Sequence, residues 1–295
     1  MANLRDIRNR ISSIENTQQI TKAMKMVAAA KLRKAQQRMI ATRPYAKKMQ
    51  SVVERLVSGT DADNILLRIP EEVNNILMIV IGSDRGLCGG FNNNLFKVVE
   101  RNIQGNYSEY SDAGRLNLIT IGRKADVYFK KRNYKIIDSH PGFFDELNYQ
   151  EASEIMEFAT GKFSDKEFDK VLIAYNEFKS VISQNRLVEE VLPVKTDEIG
   201  TEEAPSEFTD YIYEPGADSI LNDILPVHLN MQLWKSVLES NAAEQGARMA
   251  AMDNATENAK ELEQELRLKY NQARQSAITT EISEIVSGAQ ALQDN

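Results

Sequence analysis

The segment Gly82-Ser-Asp-Arg-Gly-Leu-Cys-Gly-Gly90 gathers the groups most able to do chemistry in this chain. Its glycines, Gly82, Gly86, Gly89 and Gly90, offer backbone N–H groups that could cradle a phosphate. Cys88 offers a thiol that could act as a nucleophile. An apolar run precedes the segment and an amphipathic stretch follows it, which is where α/β folds bind nucleotide phosphates. The spacing argues otherwise. It is not G-x-G-x-x-G, and no G-K followed by Ser or Thr supplies the phosphate lysine. A tight glycine turn that packs a helix on a sheet accounts for the same residues. Cys88 has no histidine near it in sequence and reads as a buried structural thiol.

The remaining candidates are few. His140 and His228 are the only histidines, and neither has Cys, His or Asp at a metal-ligand spacing, so no metal site is expected. A serine triad would need one of them, and the G-x-S-x-G elbow is absent from the sequence. Asp145 with Glu146, and Glu202 with Glu203, sit in polar stretches and read as solvated surface. No catalytic constellation emerges, and no cofactor is expected: the chain reads as a non-enzyme.

Charge is distributed unevenly. The net charge is -7, yet residues 1–50 carry 12 Lys or Arg against 2 Asp or Glu. Residues 227–295 carry 6 against 10. A basic start and an acidic end suggest that the two pair, and the surplus positive charge suggests an anionic partner. A lone cysteine forms no internal disulfide, which fits a reducing compartment. Met1 to Ile11 carries Arg5, Arg8 and Arg10 with no apolar run behind them, unlike a secretory signal. No stretch approaches the ~18 uninterrupted apolar residues that span a bilayer. Membrane contact is therefore expected only through partners.

Periodicity supplies the elements. Residues 1–58 read as an N-terminal helix. Ile7, Ile11 and Ile14 step by four and three, as do Ile20, Met24 and Val27, followed by Leu32, Ala35 and Met39. The step from Val27 to Leu32 breaks the heptad and predicts an irregular supercoil. Pro44 predicts a kink. Residues 72–194 alternate apolar runs (Ile76–Ile81, Leu116–Ile121, Val171–Tyr175) with amphipathic stretches (Phe91–Ile103, Lys124–Lys131, Tyr149–Phe163). This alternation predicts a parallel sheet covered by helices, with Arg186–Pro193 as a final strand. Asn148 and Glu151 predict a capping pair for the third helix. Residues 195–217, acidic and broken by prolines, read as a linker. Residues 218–295 predict a second long helix, alanine-rich from Ala242 to Ala259, with Leu262 and Leu266 continuing its stripe. Ile278, Ile282, Ile285, Ala289 and Leu292 form an apolar tip that needs cover. The fold class is α/β plus a long antiparallel coiled coil, the α/β domain being inserted between the terminal helices.

Two long stretches carry a family resemblance. Residues 14–45 include NTQQITKAMKMVAAAKLRKAQ and end in RPY. Residues 242–288 include EQGARMAAMDNATENA and YNQARQSAITTEISEIVSGA. With SDRGLCGGFNNNLF at 83–96 and YIYEP at 211–215, the chain resembles the gamma subunits of bacterial F-type ATP synthases over essentially its whole length. The resemblance implies a Rossmann-like central domain without nucleotide and a rotor shaft that couples proton flow to ATP synthesis or hydrolysis. It implies three alpha and three beta subunits around each shaft, an epsilon subunit and a membrane c-ring as partners. It also implies a peripheral position on the cytoplasmic face of the bacterial inner membrane. It places Met24 and Lys25 against an acidic loop of the beta subunits, and Arg248, Gln275 and Thr279 against the catalytic ring. Photosynthetic relatives carry an inserted cysteine pair for redox control, and Cys88 stands alone. Two alternatives rest on the residues themselves. One is a coiled-coil scaffold binding nucleic acid through the basic run Lys22 to Lys48, although Tyr45 is the only aromatic interleaved there. The other is a nucleotide-binding α/β enzyme with helical arms.

Overall fold

The computed structural model describes residues 4–58, 64–194, 214 and 216–293. The expected linker at 195–217 lies outside the described residues except for positions 214, 216 and 217, and the tail beyond 293 lies outside them too. The chain divides into two compact units, residues 1–28 with 249–295, and residues 29–248.

The first unit is a pair of helices. It takes the start of α1 (Leu4–Ser58) and the last part of α6 (Ala217–Gln293). Partners run in opposite order along the two helices. Arg8 Nη2 donates to Tyr270 Oη at 2.7 Å, Arg267 Nη2 to Glu15 at 2.5 Å, and Lys25 Nζ to Asp253 at 2.5 Å. The Thr256 hydroxyl donates to that of Thr21 at 2.8 Å, and Thr21 donates in turn to the carbonyl of Gln18. The pair is antiparallel.

The α1 side of this seam is Ile7, Ile11, Ile14, Gln18, Thr21, Lys25 and Ala28, in unbroken steps of four and three. The expected stripe of Ile20, Met24 and Val27 is corrected. Ile20 is 60% exposed and Val27 57%, while Met24 is half-buried. Polar residues can hold the seam here because α6 answers them with Thr256 and Asp253, and Ala28 admits a close neighbour. With Ala28 in place of Val27, the step to Leu32 is four, so the expected heptad break disappears. On α6, Glu263 rather than Leu262 lies on the covered side, its carboxylate held by Arg267 at 2.8 Å. Ile278, Ile282, Ile285 and Val286 are all exposed.

The second unit is a three-layer sandwich. Its sheet has the order β3-β2-β1-β4-β5, with β1 (Ile76–Ile81), β2 (Leu116–Ile121), β3 (Ile136–His140), β4 (Lys170–Phe178) and β5 (Gln184–Leu192). The first four strands are parallel and β5 runs antiparallel to β4. The residues between Phe178 and Gln184 allow only a hairpin; a parallel return needs a dozen or more. Alternate residues face opposite layers. Leu77, Ile79 and Ile81 pack with α5 (Tyr149–Ser164), with Leu221, Leu225, Leu229 and Leu233 of α6, and with Val53 and Leu56 of α1. Ile76, Met78 and Val80 pack with Leu95, Phe96 and Val99 of α2 (Phe91–Asn106) and Phe129 of α4 (Arg123–Lys130). A short α3 (Ser108–Asp112) follows α2.

Helix α1 runs unbroken through Pro44, and α6 through Pro226. Asn148 caps α5 by accepting from Gln150 N at 3.0 Å. Glu151 lies 3.8 Å from Nδ1 of His140, so the side chain expected to complete a capping pair faces that ring.

Two glycines make opposite predictions. Gly105 lies in α2 with nothing within 4 Å of an added Cβ, so Gly105→Ala should raise stability by about 0.5–1 kcal/mol. Gly122 has φ 93°, and a Cβ there would stand 2.8 Å from the carbonyl oxygen of Gly82. Gly122→Ala should cost at least about 1–3 kcal/mol. Urea titrations of the two variants should move the midpoint in opposite directions.

Candidate functional site

Glycine lets the chain turn sharply as it leaves β1. A side chain at Gly82 would meet Ala125 at 3.0 Å and Phe96 at 3.1 Å, so the loop is pressed against both helices of one layer. Gly89 adopts φ 59°, and Gly90 precedes α2. Leu87 takes φ 63° and is exposed at the loop tip.

The loop ends at the carboxyl edge of the parallel strands, where open α/β folds receive anions. Here the anion belongs to the chain. One oxygen of the Asp84 carboxylate accepts from Arg123 N at 2.9 Å, the first residue of α4, and from Gly142 N at 2.6 Å. The other accepts from Phe144 N at 2.8 Å. Three backbone donors that could hold a phosphate are thus engaged by a buried side chain. Asn92 closes the loop from inside, accepting from Ser83 N at 3.0 Å and donating to Ser83 Oγ at 2.7 Å. Cys88 is buried beside them, packed on Phe91 and Ala243. Burial pushes its thiol pKa up, which keeps it protonated and a poor nucleophile.

Helix α6 grips the same edge from outside. Arg248 donates to the carbonyl of Gly86, to that of Arg85 at 3.2 Å, and to Glu244 at 2.5 Å. Burial pushes the Glu244 carboxyl up, with Arg248 opposing it. Nine residues before Arg248, Glu239 receives Arg43 of α1 and the backbone N–H of Phe178.

The five residues expected to meet partners do not form one site. Met24 and Lys25 lie on α1 in the first unit, and Lys25 is already paired with Asp253. Gln275 and Thr279 are exposed on α6, one turn apart, with Thr279 Oγ1 donating to the Gln275 carbonyl at 2.9 Å. Arg248 belongs to the second unit and turns inward, its side chain 11% exposed. Asp84, Asn92, Arg43 and Glu239 were missed by the sequence reading. A carboxylate three residues after a buried strand, in a loop without a phosphate lysine, is the available signal for Asp84. Arg43 and Glu239 are 196 positions apart and carried none. Among the described residues, no cluster of His, Cys, Asp and Glu could hold a metal ion, and no helix is long and apolar enough to cross a membrane.

A pair of long antiparallel helices and, as a second unit, a doubly wound layer whose anion position is self-filled are the class of fold that this geometry defines. The sequence model of the family described as ATP synthase matches residues 3–292. The ATP synthase gamma chain of Chloroherpeton thalassium is 49% identical over 100% of both chains. That of Chlorobaculum parvum is 50% identical over 99% of this chain and 100% of its own. That of Salinibacter ruber is 47% identical over 100% of both. The chain belongs to the ATP synthase gamma chain family, whose members are non-catalytic subunits. The fold is shared with a chain of the Euglena gracilis mitochondrial ATP synthase (OSCP/F1/c-ring, rotational state 3), at TM-score 0.72, 21% identity, and coverage of 98% of this chain and 94% of that one. A chain of the Tetrahymena thermophila mitochondrial ATP synthase central stalk/c-ring matches at TM-score 0.58 and 26% identity, covering 80% and 99%.

One titration is set by burial. His228 on α6 is buried near Lys235, which together push its pKa down to about 4. Unfolded, it takes its proton near pH 6.5. Between those values the unfolded chain binds a proton that the folded chain refuses. Stability should therefore fall on acidification from about pH 6.5 to 4, by up to about 3 kcal/mol from this group. Denaturant midpoints of His228→Gln should decline less over that range than those of wild type. Superimposable profiles would assign the acid loss to other groups.

Proposed function

We propose that this chain is the central rotor shaft of an F-type ATP synthase, coupling proton flow through a membrane sector to ATP synthesis or hydrolysis on a ring of three alpha and three beta subunits. The observation that carries this is identity of 47–50% with ATP synthase gamma chains over 99–100% of the chain. The helix pair supplies a physical reason. Ile20 and Val27 face away from the seam, and Ile278, Ile282, Ile285 and Val286 are exposed on α6 beyond it, so apolar surface is offered to a covering partner.

In this reading residues 1–58 and 218–295 are the shaft, 72–194 the α/β domain and 195–217 its linker. Met24, Gln275 and Thr279 touch the ring directly. Lys25 acts from within the seam through its pair with Asp253, and Arg248 acts through the glycine loop it holds. The base binds an epsilon subunit and the c-ring, on the cytoplasmic face of the bacterial inner membrane. A nucleic-acid scaffold draws no support from these relatives, and two cations of its basic run, Lys25 and Arg43, are paired with carboxylates of α6.

Native mass spectrometry of the chain co-expressed with its alpha and beta partners tests the reading. A complex of three alpha, three beta and one copy of this chain, with ATPase activity, is expected. Well-folded partners that leave the chain out would overturn it. Met24→Lys adds a second positive charge beside Lys25 at the ring-facing surface. It should lower protons pumped per ATP hydrolysed while costing no more than about 1 kcal/mol of stability, since a lysine at this half-buried position can extend its charge to solvent. An unchanged pumping ratio would remove Met24 from the contact.

A further inference from the structure

We propose that Arg43, Glu239 and Phe178 form the joint through which turning force passes between the long helices and the α/β layer, a positioning device for the coupled reaction that rests on the rotor reading above.

The geometry is specific. The Glu239 side chain is 2% exposed. One of its oxygens accepts from both Nε of Arg43, at 3.1 Å, and Nη2, at 2.8 Å. The other accepts the backbone N–H of Phe178, the last residue of β4, at 3.1 Å. One carboxylate on α6 therefore holds α1 and the end of a central strand at once. Pro44 follows Arg43 directly and deprives the preceding turn of a backbone hydrogen bond, so α1 is fastened where its own ladder is weakest.

Elsewhere α6 meets the layer through Leu221, Leu225, Leu229, Leu233 and Val237. Such contact resists separation but is non-directional, and it resists sliding and twisting only through shape. A charge-assisted bond of fixed direction resists both. Stability alone does not explain the choice: the Arg43 side chain is 48% exposed, so Glu239 gives up its hydration for a partner that stays open to water. What the pair adds is a fixed angle. The same stretch of α6 repeats the device at Arg248, which holds the carbonyls of Gly86 and Arg85. Between the two grips Gly246 faces the ring of Phe178 and the backbone of Val181, which an added Cβ would touch in ordinary van der Waals contact at 3.4 Å and 3.5 Å. Helix, hairpin and glycine loop are bound as one piece.

The test uses the assembled enzyme in membrane vesicles, carrying wild type, Arg43→Met, Arg43→Lys or Glu239→Gln, with the incorporated chain quantified. ATP hydrolysis and ATP-driven proton pumping are read on the same vesicles. Arg43→Met should keep hydrolysis within about twofold and lower protons pumped per ATP about fivefold, while Arg43→Lys restores most of the ratio. Glu239→Gln keeps an acceptor for Phe178 and should fall between them. It decides the matter if the methionine variant is not incorporated. Pumping and hydrolysis that fall in proportion, or a ratio unchanged in every variant, would overturn the joint. A wild-type complex that assembles but does not pump would overturn the rotor reading, and the joint with it.

Discussion

A helix gains little from each added turn in water, so a very long one must be held from the side along most of its length. Helix α6, at 77 residues, meets this demand in two ways. Leu221 to Val237 lies on the sheet as a four-residue ladder of apolar side chains. Met252 to Tyr270 lies against α1, which meets it at Arg8, Glu15, Thr21 and Lys25. Beyond Tyr270 the lateral contacts run out, and Ile278, Ile282, Ile285 and Val286 reach solvent in the isolated chain. The sandwich and the antiparallel pair are two answers to one requirement, and the exposed tip has neither.

The seam between the helices follows a different logic from the core of the sandwich. Large apolar side chains fill the sandwich, whereas Gln18, Thr21, Lys25, Thr256 and Glu263 interrupt the seam. Polar positions in a helix pair lower its stability and fix its register and orientation. Thr21 against Thr256, and Lys25 against Asp253, can be satisfied in one alignment only. Ile20 and Val27, which would have made a stronger seam, are thereby released to the outside.

That inversion marks the limit of what could be read in advance. Strands β1, β2 and β4 and their covering helices were legible because a buried parallel sheet demands continuous apolar runs. The terminal helices were legible from length and periodicity. The seam register was not, since side-chain size alone points to Ile20 and Val27, and nothing local places Thr256 and Asp253 opposite Thr21 and Lys25. β3 was missed because Ile136-Ile-Asp-Ser-His140 is an edge strand and only half apolar. The antiparallel turn of β5 was not foreseen, though the short connection before Gln184 contained it. At the candidate site, the glycines announced a turn from sequence alone. The grips of Arg43 and Arg248 join residues far apart in the chain, and no local pattern encodes them.

Asp84 makes the doubly wound layer its own ligand. Its carboxylate occupies the N-terminus of α4 and the loop after β3, donors that elsewhere in this architecture greet a soluble anion. A tethered group competes at an effective concentration in the millimolar range or above, with no diffusion step to slow it. A phosphate arriving from solution would have to evict a group that cannot leave. The layer thus fills its own anion position, and the backbone donors there need no solute for their partner.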